Sequence, residues 1–189
     1  MNCPTTAALD RPKLARQYPR PVRDEDMAEA IRQAGPSMKA WLTLAAYGGL
    51  RCVEIAGLCR EDIMEGDDLM LLRGKGGKER IVPLHPLVWR RLRSAGLPRV
   101  GPVFVRPCGS PYTAAQVSRT IALWLDELGI DATAHQFRHW FGSRAYQQSG
   151  DLRVVQELLG HSSPTTTAVY TACAPGRARV TVESLPLVS

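Results

Sequence analysis

Glycines cut this 189-residue chain into short pieces. Gly35-Pro36, Gly48-Gly49, Gly129, Gly150 and Gly160 each close an apolar run, and Gly74-Lys75-Gly76-Gly77-Lys78-Glu79 separates two short ones. A glycine just past a helix takes the left-handed backbone that other residues resist, and a following proline forbids continuation. Helices are therefore expected from Asp24 to Gly35, over Met38–Tyr47, Arg51–Leu58, Pro86–Ala95, Thr113–Leu128, Ala134–Gln148 and Asp151–Leu159, with Asp24 and Asp151 as N-caps. Ser163-Pro164 opens one more helix, carrying Tyr170. Leu69–Arg73 and Arg80–Leu84 read as the strands of a hairpin, Val103–Val105 as a short strand and Arg179–Leu185 as an edge strand. The expected fold class is α/β, mainly helical with one small antiparallel sheet. Residues 1–23, with four prolines, read as an arm or linker, 24–171 as one domain and 172–189 as a tail.

Several classes drop out. The longest weakly polar run, Ala40 to Leu50, is about half the ~20 residues a membrane span needs. Met1 to Asp10 holds no apolar stretch of the secretory kind. Five cysteines, Cys3, Cys52, Cys59, Cys108 and Cys173, are odd in number and form no CxxC pair, so free thiols in a reducing cytosol are expected. The 24 basic residues exceed the 18 acidic ones, giving +6, and by count 20 of them are arginine and 4 lysine. GC-rich coding explains many arginines, yet a guanidinium also grips phosphate through two parallel hydrogen bonds. Nucleic acid is the first partner to consider.

Chemistry-bearing groups stand at structured junctions. Gly48-Gly49-Leu50 leads into Arg51 at a helix start, with Glu54 one turn on. Lys75 lies in the glycine-rich hairpin turn, and Arg73, Lys78 and Arg80 beside it are candidate DNA-phosphate ligands. His135 and Arg138, three apart, share a helix face. His161 follows the Gly160 stop, and Tyr170 comes nine residues later. Two guanidiniums, an ammonium, two imidazoles and a phenol suit attack on a phosphodiester. The phenol is the nucleophile, the arginines offset charge on the transition state, and lysine and histidine move protons.

Taken singly, each group has a plain structural explanation: a surface arginine, a solvated turn, a helix histidine, a filler tyrosine. Their order and spacing carry the argument. The Gly74–Lys78 stretch is no Walker loop, because Leu72 stands where that loop needs glycine and Glu79 follows Lys78. His135 and His139 have zinc-helix spacing, but Gln136 replaces the glutamate and no third ligand is evident, so no metal is expected.

These segments resemble the catalytic domain of the tyrosine recombinase (phage integrase) family. Gly48–Ile55 resembles its first arginine box, Gly74–Leu84 its lysine hairpin, and His135-Gln136-Phe137-Arg138-His139 its His-x-x-Arg box. Leu158–Ser163 and Ala168–Thr171 match the two later boxes, and the likeness runs from about Asp24 to Thr171. The resemblance implies the mixed α/β catalytic fold and site-specific DNA recombination through a 3′-phosphotyrosyl link, in phage or mobile-element integration, without cofactor. Arg51 and Arg138 would clamp phosphate, Lys75 protonate the 5′-oxygen and His135 assist the tyrosine. His161 would bind and orient phosphate, Tyr170 attack, and Glu54 support the site. Partners would be double-stranded DNA attachment sites and, in the full-length form, three further copies; the place would be a bacterial host's cytoplasm, with no membrane. Full-length members carry an N-terminal core-binding domain, and the expectation is that it has been excised or naturally lost here. Type IB topoisomerase-like relaxation, or a DNA-binding fragment with little catalysis in isolation, are the alternative readings.

Overall fold

The computed structural model describes residues 20–74 and 79–161. Among these residues seven α-helices and three strands succeed one another: α1 Asp24–Gln33, α2 Pro36–Gly48, α3 Cys52–Ala56, β1 Ile63–Met64, β2 Leu69–Arg73, β3 Glu79–Pro83, α4 Pro86–Ser94, α5 Ala114–Glu127, α6 Ala134–Ser149 and α7 Leu152–Leu159. The mainly helical class with a small antiparallel sheet is what the chain adopts.

Helix α2 is the centre. Proline at its first turn costs no hydrogen bond, and every residue from Ala40 to Ala46 is buried, as befits a helix apolar on all sides. It packs against α4 and α6, while α3 packs against α5. In α5, Val117, Ile121 and Leu125 recur every fourth residue and are fully buried. Its start is fixed by a reciprocal capping box: Gln116 N–H donates to Thr113 Oγ1 at 3.2 Å, and Thr113 N–H donates to Gln116 Oε1 at 2.9 Å. Asp151 caps α7 as expected, accepting from Arg153 N–H at 2.7 Å.

Three details differ from the sequence-based expectation. Asp24 is the first helical residue and Arg23 the cap position. The Asp24 carboxylate instead accepts from Trp140 Nε1 at 2.6 Å and from Arg144, both on α6. Tertiary partners outbid the local amide. Val103–Val105 makes no strand; its bridge is the isolated Val105↔Pro111, with Cys59↔Pro102 just before it. A third strand, β1, was not anticipated because two residues carry no readable alternation. The sheet order is β1-β2-β3, antiparallel, with Leu72 opposite Arg80 and Leu71 opposite Ile81. Met70, Leu72 and Val82 point into the core, whereas Ile81 faces out. The expected helix after Ser163 and the strand Arg179–Leu185 lie outside the described residues.

The turn after α2 positions the site. Gly49 sits at φ 64°, and a Cβ there would come within 2.6 Å of the Phe141 ring. Gly129 has a similar φ of 67° but open space around it. Gly49→Ala should therefore cost about 2–4 kcal/mol, the sum of left-handed strain and overpacking, and Gly129→Ala only about 1 kcal/mol. Urea denaturation of the two variants checks this; equal losses would show that the Phe141 contact yields without cost.

Candidate functional site

Arg51 occupies the cap position of α3, and the third helical residue is Glu54. Glu54 Oε2 accepts from the Arg51 backbone N–H at 2.7 Å, so the carboxylate is folded back over the helix start. Its other contacts are charged. Arg51 Nη1 lies 3.2 Å from Oε1, Arg138 Nη1 lies 3.7 Å from Oε2, and Arg80 reaches both oxygens, with Nη2 donating to Oε2 at 3.1 Å. One buried carboxylate thus gathers three guanidiniums from α3, β3 and α6. Burial alone would raise the Glu54 pKa, but the hydrogen bond and charge of Arg80, the Arg51 amide and the Arg138 charge outweigh it and hold the pKa below its ordinary value.

Three positive groups against one negative leave a surplus of charge in a sheltered place. Arg138 is 1% exposed, and its guanidinium donates to the carbonyls of Gly49 and of Leu159, the latter at 2.6 Å. Arg51 is the outward member, with 37% of its side chain exposed. Both line a concavity of about 230 Å³ together with His135, Cys52, Ser118 and Thr133. The arrangement can seat an anion, and a tetrahedral oxyanion with several acceptor oxygens suits convergent guanidiniums best.

His135 and His139 follow one another along α6, rings 4.2 Å apart and edge-on. Burial, then the charges of Arg138 and Arg51, lowers the His135 pKa. Burial first, with help from His135 and Arg138, lowers that of His139 to about 4. His161 is likewise lowered to about 4, by burial and then by Arg138, Arg51, His139 and Arg80. His139 and His161 are therefore neutral at pH 7. The unfolded chain takes up protons near pH 6.5 that the folded chain refuses until about pH 4, so stability is full above 6.5 and drains as pH falls through that window. Urea midpoints at pH 7.5 and pH 5 should differ accordingly, and His139→Gln should narrow the gap. An unchanged gap would mean that His139 is not one of the groups responsible.

The fold brings together Arg51, Glu54, His135, Arg138 and His161, which span more than a hundred residues of sequence. Lys75, Lys78 and Tyr170 lie outside the described residues. Of the two arginines expected as DNA-phosphate ligands, Arg73 pairs with Asp62 and Glu79 with more than half of its side chain exposed, and Arg80 pairs with Glu54 and the Leu158 carbonyl. The Arg80 side chain is only 11% exposed. Alternation could have revealed this, since Arg80 stands two residues before buried Val82 and opposite buried Leu72. No set of three or more metal-ligating side chains clusters among the described residues, and none of their helices is long and apolar enough to cross a membrane.

Residues 24–177 match the model of the phage integrase family. The chain belongs to that family. A tyrosine recombinase XerC from Nitrobacter winogradskyi is 34% identical over 185 residues, covering 87% of this chain and 58% of that protein. The integrase from mycobacterium phage Brujita superposes with a TM-score of 0.70 at 33% identity, over 96% of this chain and 64% of the integrase. XerA recombinase gives a TM-score of 0.74 at 25% identity, over 94% of this chain and 68% of XerA. The chain spans little more than half the length of the curated relatives it matches. As a phage integrase family member it shares the catalytic-domain fold of these recombinases.

Proposed function

We propose that this chain cleaves and rejoins DNA strands at specific sites through a covalent 3′-phosphotyrosyl link. The observation that carries this reading is the convergence of Arg51 and Arg138 on the single carboxylate of Glu54, at the wall of one cleft. A phosphodiester entering there meets two guanidiniums that neutralise its non-bridging oxygens and the charge added as a fifth oxygen approaches phosphorus.

The phenolic oxygen of Tyr170 attacks phosphorus and the bond to the 5′-oxygen breaks. Lys75 gives the departing oxygen its proton, and the phenol proton passes to His135, whose lowered pKa keeps a lone pair at hand near neutrality. His161 orients the phosphate beside the arginines. Reversal with a different 5′-hydroxyl completes strand exchange, and the phosphotyrosyl bond conserves the energy of the ester. Exchange between two duplexes breaks four strands, so four nucleophiles, hence four copies on DNA, are required. The finer reading is integration at attachment sites in a bacterial host's cytoplasm, supported by the likeness to the Brujita phage integrase.

Capture on a pool of nicked duplexes with randomised core sequence tests the reading, because a nick beside the target lets the 5′ fragment diffuse away. The expected product is an SDS-resistant adduct whose DNA-bearing peptide contains Tyr170. Absence of an adduct, or its mapping to another residue, would remove the proposal.

A further inference from the structure

Arg80 does something the phosphate-ligand expectation does not describe. It stands on β3, five residues after Lys75 and opposite Leu72, at the base of the hairpin. From there its side chain runs inward to two destinations at once. Its Nη atoms take both oxygens of Glu54, and its Nε donates to the Leu158 carbonyl at 2.9 Å in the last turn of α7. A helix end leaves its last carbonyls without intrahelical donors, and here a guanidinium from another element supplies one. The next carbonyl, Leu159, is taken by Arg138. The residue after them, Gly160, has φ 61°, and a Cβ built there would come within 2.9 Å of Arg80 Cδ. Gly160 is thus small for a second reason besides its backbone: the arginine stem lies across it. His161 follows immediately, its N–H bonded to the Gln156 carbonyl at 3.1 Å and its own carbonyl receiving Gln156 Nε2 at 3.2 Å.

We infer that Arg80 is a positioning residue that ties the strand leading from Lys75 to the helix end presenting His161, using Glu54 as the shared anchor. It acts through those groups and not by touching DNA. This rests on the strand-exchange reading for its catalytic consequence, though not for its geometry. A planar guanidinium is needed, because only a fork with a separate Nε can hold a carboxylate edge-on and a carbonyl at the side. Lysine can reach one partner or the other.

The test compares the wild-type chain with Arg80→Lys, Arg80→Met and Gly160→Ala, the last displacing the arginine stem while leaving every charge in place. Three quantities are measured: the Kd for duplex DNA with its salt dependence, the covalent capture rate at saturating nicked DNA, and hydrogen exchange of the His161 amide without DNA. Positioning predicts Kd within about 2-fold of wild type and an unchanged salt slope. It also predicts a capture rate lowered on the order of 10- to 100-fold, with Arg80→Lys less affected than Arg80→Met, and His161 exchange faster by about 10-fold. A weaker Kd with a salt slope reduced by about 1, at an unaltered saturating rate, would mark Arg80 as a phosphate ligand and overturn the inference. Unchanged His161 exchange in Arg80→Lys would overturn it as well, whether or not any variant is active. Failure of the wild-type chain to form an adduct strikes the strand-exchange reading alone, since the exchange measurement still decides whether Arg80 holds the helix end.

Discussion

Tyr170→Phe should form no covalent adduct with nicked DNA, a loss limited only by the sensitivity of the gel. The substitution removes the one oxygen that the proposed reaction joins to phosphorus. The phosphate clamp proposed for Arg51 and Arg138 does not involve that oxygen, so affinity for duplex DNA should stay within about 2-fold of wild type. A nucleophile acts with its activating groups as a unit, which is why the effect is not graded. If the variant retains an SDS-resistant adduct, another residue is the nucleophile. If it loses binding in parallel, the hydroxyl serves the fold and not the chemistry.

Arg138→Ala should be nearly as severe, and in two ways that separate experimentally. In the proposed chemical step, loss of a donor that offsets developing negative charge costs on the order of 10²–10³ in rate. In the fold, the guanidinium holds Gly49 and Leu159 carbonyls and faces Glu54, all shielded from water. Breaking one partner of such a buried set typically costs about 3–5 kcal/mol, because the remaining groups keep their desolvation penalty and lose their compensation. Urea unfolding measures the second effect. Capture rates at low temperature, corrected for the folded fraction, measure the first. Arg138→Lys should recover part of the rate, since the charge remains, but little of the stability, since one ammonium cannot replace a fork bonded to two carbonyls. A variant whose corrected rate equals wild type would place Arg138 outside the phosphate site.

Much of this was legible in the chain before folding, and the reason is local. Gly49, Gly129, Gly150 and Gly160 all take positive φ, so the helix ends they announce hold. The strands of the hairpin fall within one residue of their expected bounds. His135 and Arg138 sit three apart on one helix, and no tertiary event alters that spacing. What was not legible depends on partners distant in sequence. Asp24 carries the chemistry of a cap, yet Trp140 and Arg144 on α6 claim its carboxylate. Glu54 is expected only as a supporting carboxylate for the first arginine and a histidine, because nothing local marks it as the meeting point of Arg80 and Arg138. The inward course of Arg80 was hidden for a different reason: its charge argued for the surface while its register argued for the interior. Period-two geometry won, because Glu54 was there to receive the charge.

The carboxylate at the centre of the site draws its donors from three stretches of polypeptide, around positions 51, 80 and 138, so no fragment of the molecule assembles a reduced version of the cleft. Until sheet, central helix and late helices have docked, the guanidiniums are dispersed and grip nothing together. A chain caught half-made on the ribosome, or loosened by heat, lacks that cleft, so the strand cleavage proposed above would depend on the completed tertiary structure.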